Sequence, residues 1–367
     1  MRPIGKLAYL AQPQEVQIKE YEVPEPVSGA ILTEVEQANV CGSELHIWRG
    51  HHPEVKNGVL GHEVLCRVKE LGSDVDTDYA GEPIEEGDLV APAYFLTCQR
   101  CPSCLKSQFN LCQNAYENWS KPPNEPPHFH GTFATHYFIH PKQYFYKIPK
   151  KLDPKVAAAA NCALSQMLFG LDKVDLSYND TVVIQGAGGL GLNTIAIAKE
   201  YGAETIVIEG VDGRIERARA FGADHIIDFR EYQTVENRAK RVQELTDGQG
   251  ADVGVEVAGV PDAFAEGIQL IRDGGRYLEV GNVSPGHYTS FDPGLLTRKA
   301  ITIVPVIRYQ PWYLKNALQF LTDNIDEYPF QELIDAEFDL VEVDEALAKS
   351  DSREITRAAL IPNHQIQ

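Results

Sequence analysis

Thr181–Gly191 reads T-V-V-I-Q-G-A-G-G-L-G, an apolar run that leads directly into a group of glycines. The run TVVIQ predicts a buried strand, because it is short, β-branched and followed by a turn signal. The next segment, LGLNTIAIAKEYGA, has apolar residues at helical spacing and closes near Gly202, so it predicts a helix. A strand, a glycine turn and a helix therefore follow one another without a break.

The glycines of this turn form the pattern G-x-G-x-x-G at Gly186, Gly188 and Gly191. Alone the pattern is a weak signal, but between a strand and a helix it is typical of a turn that binds a dinucleotide pyrophosphate. The first glycine permits the tight turn, the second lets the backbone approach the phosphates, and the third allows close helix–sheet packing. Gly189 and Leu190 lie inside the motif and are candidate cofactor contacts. The alternative is a glycine-rich turn without a ligand.

Glu209 ends the next predicted strand, TIVIE. A carboxylate at this place accepts hydrogen bonds from the adenine ribose hydroxyls and repels a 2′-phosphate, which favours NAD over NADP. Arg214 follows in the next turn of chain, where it could reach the ribose or partly offset that preference.

Strand and helix patterns keep alternating beyond the motif, through RIERARAFGA, HIID, VENRAKRVQEL, ADVGVEV, DAFAEGIQLI, GRYLEVG and AITIVPV. This alternation predicts an α/β fold with a parallel, doubly wound sheet over residues 161–305. Residues 1–160 are β-rich and loop-rich, and we expect residues 306–367 to return to that first domain. KVAAAANCALSQMLFGL, at 155–171, predicts one helix, and 118–131 predicts an irregular surface loop.

A second signal comes from four cysteines, Cys98, Cys101, Cys104 and Cys112, with the spacing C-x2-C-x2-C-x7-C. Four thiolates this close can surround one tetrahedral zinc, and a closed four-cysteine site of this kind is usually structural. We therefore predict a structural zinc lobe at about 97–113. A disulfide framework is the alternative, but spacings of two residues suit metal chelation better.

Composition excludes several kinds of function. The chain has 367 residues and a formal net charge of -20, which disfavours nucleic acid and anionic membranes as partners. No run of eighteen apolar residues is present, and the start MRPIGKLAYLAQPQ lacks the apolar core of a signal peptide. Seven cysteines with a metal-like cluster fit a reducing cytoplasm.

Three further potential metal ligands stand outside the cluster: Cys41, His62 and Cys162. Individually each is unremarkable, since a lone cysteine is usually a small hydrophobe. Two thiolates and one imidazole together form a known catalytic zinc shell that leaves the fourth position open to water or substrate. Cys66, in contrast, is interpreted as a small core residue.

At this point the chain resembles the zinc-dependent medium-chain alcohol dehydrogenase family over essentially its whole length. The resemblance is carried by C41-G-S-E-L-H46, G61-H62-E63, the four-cysteine lobe, N161-C162-A-L and G186-A-G-G-L-G191. It implies a GroES-like catalytic domain followed by a Rossmann domain that binds NAD. It also implies a homodimer or homotetramer, with AITIVPV pairing across the dimer axis.

The resemblance assigns roles to individual residues. Cys41, His62 and Cys162 would hold a catalytic zinc, so that each chain would bind two zinc ions. Glu63 would lie beside that metal, and Glu44 would bond the ligand histidine in place of the more usual aspartate. Ser43 would contact the substrate hydroxyl, and His46 would pass its proton to solvent. Arg357 would reach the cofactor pyrophosphate. The alternative interpretations, without a catalytic role, are a turn residue for Ser43 and a helix-surface residue for His46.

Substrate choice should depend on apolar residues around the open metal position. The candidates are aromatic: Trp48, Tyr94, Phe95, Tyr116 and Trp119. Such a wall favours a medium-sized or cyclic secondary alcohol, although any of these residues except Tyr94 could equally be plain core. The competing functions are an NAD(P)H-dependent carbonyl or enone reductase without catalytic zinc, and a zinc-ribbon adaptor.

Overall fold

The structure is a computed structural model that describes residues 2–52 and 55–363. The chain forms two compact units. The first contains the described residues of Met1–Ser165, Gln310–Ile325 and Phe330–Gln367, and the second contains Gln166–Tyr309 and Asp326–Pro329. The units therefore divide a few residues later than the boundaries expected from the sequence.

The strands, in chain order, are β1 (Ile4–Gln12), β2 (Glu15–Glu22), β3 (Ile31–Asn39), β4 (Glu63–Leu71), β5 (Leu89–Pro92), β6 (His136–Ile139), β7 (Phe145–Lys147), β8 (Thr181–Gln185), β9 (Glu204–Glu209), β10 (His225–Asp228), β11 (Ala251–Glu256), β12 (Ile271–Glu279), β13 (Thr302–Pro305), β14 (Ala336–Phe338) and β15 (Ala358–Leu360). The α-helices are α1 (Gly42–Trp48), α2 (Pro102–Leu105), α3 (Pro154–Ala157), α4 (Ser165–Lys173), α5 (Gly189–Glu200), α6 (Asp212–Ala220), α7 (Val235–Leu245), α8 (Pro261–Leu270), α9 (Pro293–Lys299), α10 (Tyr313–Asn324) and α11 (Val343–Asp351). A π-turn covers Ala160–Leu164, and short 3-10 helices cover Phe109–Leu111, Phe330–Leu333 and Leu340–Glu342.

The second unit is built on a six-stranded sheet in the order β10-β9-β8-β11-β12-β13, with parallel pairing throughout. Its central strand β8 has Val182, Val183 and Ile184 fully buried, as expected where helices cover both faces of a sheet. The strand order reverses between β8 and β11, which is where ligands bind in sheets of this type. The predicted doubly wound α/β fold is confirmed.

The first unit is mostly antiparallel. A seven-stranded sheet runs β14-β15-β3-β4-β5-β7, with β6 also paired to β3, and β1 and β2 form a separate pair. The C-terminal strand β15 pairs with β3, which places the end of the described chain in the first unit. The core is apolar, and Cys66 lies fully buried within it, where burial raises the pKa of its thiol to about 12.

One local prediction was wrong: the helix expected over 155–171 is interrupted, because α3 stops at Ala157 and a π-turn precedes α4. The loop over 118–131 is irregular and exposes Ser120, Asn124 and Glu125, but it also buries Trp119 and Phe129. Their large aromatic side chains gain more from burial than the polar and proline-rich composition of the loop suggested.

Among the residues that the structure describes, no helix is long and apolar enough to cross a membrane.

Candidate metal and cofactor sites

Helix α1 places the first candidate ligand. Cys41 is its N-cap residue, and the Cys41 Sγ accepts the backbone N–H of Ser43 at 3.4 Å. Glu44 closes a capping box, because its carboxylate accepts the Cys41 N–H at 3.0 Å. The sequence C-G-S-E therefore holds the Cys41 sulfur at a helix start and fixes its direction.

Cys41, His62 and Cys162 come together in the first unit. The Cys41 Sγ lies 3.6 Å from His62 Nε2 and 3.9 Å from the Cys162 Sγ, and His62 Nε2 lies 3.3 Å from the Cys162 Sγ. Zn–S bonds of 2.3 Å in a tetrahedron put neighbouring sulfurs about 3.8 Å apart, so the three donors fit one zinc ion. The hydrogen bond between the two sulfurs lowers the pKa of Cys41 well below its usual range and raises that of Cys162, so without a metal one thiolate is stabilised by the other thiol.

The two other elements of this centre are a strand start and a π-turn. His62 directly precedes β4, and its Nδ1 pairs with the fully buried Glu44 carboxylate. That pairing leaves Nε2 directed at the two sulfurs, which is the usual arrangement around a metal-binding histidine. Cys162 lies in the π-turn Ala160–Leu164, a local distortion that often marks functional sites.

Glu63 supplies a fourth polar group. One of its carboxylate oxygens lies within the cluster of Cys41, His62 and Cys162, where all ligand atoms are within 4.8 Å of one another. Glu63 is fully buried, and it forms an ion pair with the buried Arg357. Burial raises the pKa of Glu63 to about 7 even though Arg357 acts in the opposite direction.

The four cysteines of the lobe form a second cluster, and all of them are buried. Backbone N–H groups point at the sulfurs: Cys98 donates to the Cys112 Sγ at 3.3 Å, and Cys101 donates to the Cys98 Sγ at 3.4 Å. Burial acts to raise the pKa of Cys98. Several hydrogen bonds to its sulfur, the strongest from the backbone N–H of Arg100, nevertheless bring that pKa down to about 6. Four converging sulfurs with amide donors fit a closed zinc site.

The glycine turn in the second unit has the shape expected of a pyrophosphate site. Gly186 has a φ of +103°, and a Cβ atom on Gly191 would lie 2.1 Å from the Gly186 carbonyl oxygen. In contrast, a Cβ atom added to Gly188 would meet no heavy atom within 4 Å in the described part of the chain. Gly188 is the N-cap of α5, so open space lies directly at the helix N-terminus.

Glu209, at the end of β9, joins this turn to the next loop. Its Oε2 accepts the Ala187 N–H at 3.0 Å, and its Oε1 accepts the N–H groups of Gly210 and Val211. Arg214 Nη1 lies 3.7 Å from Oε2. Two acceptor positions of Oε1 are therefore occupied, and Oε2 keeps one, beside Arg214.

Comparison with known proteins agrees with this geometry. The family model described as "Zinc-binding dehydrogenase" matches residues 189–323, and that described as "Alcohol dehydrogenase GroES-like domain" matches residues 27–150. The 5-exo-hydroxycamphor dehydrogenase of Pseudomonas putida is 33% identical over 348 residues, which is 94% of each chain.

The chain belongs to the zinc-dependent medium-chain alcohol dehydrogenase family. The L-threonine 3-dehydrogenase of Pyrococcus horikoshii is 32% identical over 82% of this chain and 83% of its own. A solved structure, the alcohol dehydrogenase of Thermotoga maritima, is 32% identical, with a TM-score of 0.91 over 98% of this chain and all of that one. The general reaction of the family, oxidation of an alcohol or its reverse, therefore applies to this chain.

The predicted pocket residues of this family member lie in or against the apolar core of the first unit. Tyr94 and Trp119 have ring centroids 5.0 Å and 5.2 Å from that of His62, and Tyr116 packs edge-on against Trp119 at 5.5 Å. Trp48 and Trp119 are both buried in that core, and Tyr94 and Tyr116 pack against it. An aromatic wall of Tyr94, Tyr116 and Trp119 thus adjoins the candidate metal centre.

Two features were missed by reasoning from sequence. The Arg357–Glu63 pair joins residues almost three hundred positions apart, and Arg357 had been assigned only to the cofactor. His52 adjoins the aromatic wall, with ring centroids 6.0 Å from Tyr116 and 6.2 Å from Trp119, and burial lowers its pKa to about 4. The doubled histidine of H-H-P was the available signal for the second feature.

Proposed function

We propose that this protein is a zinc-dependent, NAD-linked alcohol dehydrogenase that acts on a medium-sized or cyclic secondary alcohol. The convergence of Cys41, His62 and Cys162 within zinc-ligand distance carries the proposal. These three residues would hold a catalytic zinc, and Cys98, Cys101, Cys104 and Cys112 would hold a structural one. Zinc bound to the first set supplies a Lewis acid that lowers the pKa of a substrate hydroxyl.

NAD supplies the acceptor for the hydride, and the turn Gly186–Gly191 would hold its pyrophosphate. Gly188, Gly189 and Leu190 form the start of α5, whose N-terminal N–H groups favour a negative charge. Glu209 would accept the adenine ribose hydroxyls. Arg357, for which the resemblance implies a contact with the pyrophosphate, is buried in the first unit and pairs there with Glu63, so its place in this proposal is beside the metal ligands.

Ser43 and His46 would move the substrate proton. They lie three residues apart on α1, so their side chains are neighbours on one side of the helix, and Ser43 directly follows the Cys41 turn. Ser43 would accept the hydroxyl proton and pass it to His46, which would release it to solvent. Glu44 fixes the orientation of His62, and Glu63 places a carboxylate beside the ligands.

The aromatic wall determines the substrate proposed. Tyr94 and Trp119 present aromatic rings beside His62, and Tyr116 packs against Trp119, which suits an apolar alcohol of some bulk. A relative that spans the same length is named for 5-exo-hydroxycamphor, and this supports a cyclic alcohol.

The seven cysteines are free of disulfides, which suits a reducing compartment such as the cytoplasm.

The experiment that tests the function is zinc per chain on freshly purified protein, combined with NAD reduction at 340 nm across primary, secondary and cyclic alcohols. Two zinc ions and turnover of a cyclic or secondary alcohol are expected. One zinc ion and no alcohol oxidised would instead support the carbonyl or enone reductase without catalytic zinc.

Charge removal at Glu209 should relax the choice of cofactor. In Glu209→Gln the side chain keeps its size but no longer repels a 2′-phosphate, and Arg214 loses its carboxylate partner. The preference for NAD over NADP, measured as the ratio of kcat/KM values, is expected to fall about tenfold. Glu216→Gln, an exposed change on α6, is the matched control, and an unchanged ratio in Glu209→Gln would remove Glu209 from this role.

The edge of the six-stranded sheet supports a homo-oligomer. Strand β13 ends the sheet, and its Ile303 and Val304 are only partly buried, while Ile307 beyond it is 51% exposed. An apolar edge of this kind is normally covered by another strand. Pairing of β13 with its copy would give a dimer, from which a tetramer could be built. Light scattering at micromolar concentration should give at least twice the chain mass, and a monomer mass would contradict the proposal.

A further inference from the structure

The ends of two neighbouring parallel strands lie at the proposed adenosine site. Asp228, the last residue of β10, is the direct pairing partner of Glu209, the last residue of β9. The next residue, Phe229, donates its N–H to the Glu209 carbonyl oxygen at 3.3 Å. Arg230 follows Phe229, so its backbone lies close to the strand end where the adenine ribose is proposed to bind.

An apolar surface lies between the loops that follow these two strands. The ring of Phe229 covers the backbone of Gly210, because a Cβ atom on Gly210 would lie 2.4 Å from two atoms of that ring. Phe229 is 44% exposed and Val211 is 38% exposed, although both are large apolar residues. Exposed apolar groups at the carboxyl edge of a parallel sheet suit the adenine of a dinucleotide whose ribose lies at Glu209.

Arg230 is held at this edge by two carboxylates. Its Nε lies 2.9 Å and 3.0 Å from the two oxygens of Asp228, and its Nη2 lies 2.6 Å from Asp212 Oδ1. The Asp228 Oδ1 also accepts the backbone N–H of Arg230 at 2.8 Å. Hydrogen bonds from Arg230 lower the pKa of both Asp212 and Asp228, so both carboxylates are charged at neutral pH. The guanidinium therefore joins the start of α6 to the end of β10.

Two arginines and three carboxylates thus share the edge of the sheet where the 2′-phosphate of NADP would lie. A guanidinium binds phosphate through paired N–H groups, and an arginine near the ribose is the usual means of accepting a 2′-phosphate. In this chain both arginines already have partners. Arg214 lies beside Glu209, and Arg230 is paired with Asp212 and Asp228.

We propose that Asp212 is a specificity-determining residue, which disfavours NADP by holding the Arg230 guanidinium away from the 2′-phosphate of the adenine ribose. Asp228 belongs to the strand end and keeps Arg230 in place, whereas Asp212 occupies the Nη2 group that could turn to a phosphate. NAD carries a hydroxyl at this position and does not require Arg230. This inference rests on the proposed use of NAD. It adds that Glu209 repels the phosphate directly, while Asp212 removes the cation that would bind it.

The test is fluorescence titration of the metal-loaded protein with NADH and with NADPH, which gives the Kd of NADPH relative to that of NADH. Glu209→Gln is the background, because direct repulsion of the phosphate is then absent. Adding Asp212→Asn should lower the ratio about fivefold, the effect of one arginine–phosphate contact at an exposed site. The Kd of NADH should stay the same, which also shows that the variant is folded.

Arg230→Gln separates the release of Arg230 from the mere loss of a charge at Asp212. When Arg230→Gln is already present, Asp212→Asn should change the ratio by less than about twofold, since the two residues act as one pair. Glu216→Gln removes another exposed carboxylate of α6 and should leave the ratio unchanged.

The outcomes separate this inference from the proposed function. No fall of the ratio in Asp212→Asn, or an equal fall with and without Arg230→Gln, would overturn the inference alone. Loss of NADH binding in Asp212→Asn would contradict it as well, because Asp212 would then contribute to binding of either nucleotide. If the parent protein binds neither nucleotide, the proposed function is wrong, and the inference with it.

Discussion

Cys162→Ser is expected to reduce alcohol turnover by about a thousandfold or more while leaving NAD binding nearly intact. A Lewis acid at the reacting oxygen contributes several kcal/mol, and each 1.36 kcal/mol is a factor of ten in rate. Cys162 provides one of only three proposed protein ligands, and it lies within 3.9 Å of the Cys41 Sγ. The glycine motif is in the other compact unit, so its binding surface should not change.

The measurement is zinc per chain, steady-state turnover and NAD affinity on the same preparation. Zinc should fall from two ions to one together with turnover. Cys66→Ser is the matched control, because it is also a fully buried cysteine of the first unit but lies in the apolar core. Full turnover in Cys162→Ser, or loss of NAD binding with retained zinc, would show that the ligand assignment is wrong.

Cys101→Ser should have the second large effect, on stability rather than on chemistry. Zinc in a closed thiolate site contributes folding free energy, since the ligands converge only in the folded lobe. Without one of the four sulfurs we expect loss of the structural zinc and a fall in the melting temperature of about 10 °C. The catalytic ligands lie outside the lobe, so turnover per folded molecule at low temperature should stay near that of the parent.

Ser103→Ala serves as the control for this prediction, because it changes a side chain in the same lobe without touching a sulfur. Melting followed by circular dichroism and zinc content by metal analysis would check both variants. Equal melting temperatures for Cys101→Ser and the parent would show that the lobe does not stabilise the fold.

Much of the fold was accessible from local patterns. The run TVVIQ could be assigned because parallel strands buried on both faces are continuously apolar, and the glycine pattern could be assigned because it directly followed that run. The prediction of one helix over 155–171 was wrong, because the alanines favour a helix everywhere. The π-turn at Ala160–Leu164 interrupts it, and local propensity does not record such a turn.

The metal-binding residues of the candidate site could be predicted from the sequence, but the ion pair beside them could not. Cys41, His62 and Cys162 were chosen by residue type and by resemblance, because thiolates and imidazole are the donors that zinc prefers. The pairing of Glu63 with Arg357 was not foreseen, since it links the start of β4 to the residue before β15. Such a pair becomes visible only when β15 is placed beside β3 in the same sheet.

Spacing along the chain thus specified the four-cysteine lobe, the glycine turn and the alternation that makes a parallel sheet, because each of these depends on residues close in sequence. Contacts between segments that are distant in sequence could be identified only in the folded structure. The ring contact of Trp119 with His62 depends on how the loop packs, and the pairing of Glu63 with Arg357 depends on strand order, so neither follows from separation in the chain. The chemistry of a buried carboxyl depends on its neighbours in space, so its proton affinity followed from the tertiary structure and not from its position in the sequence.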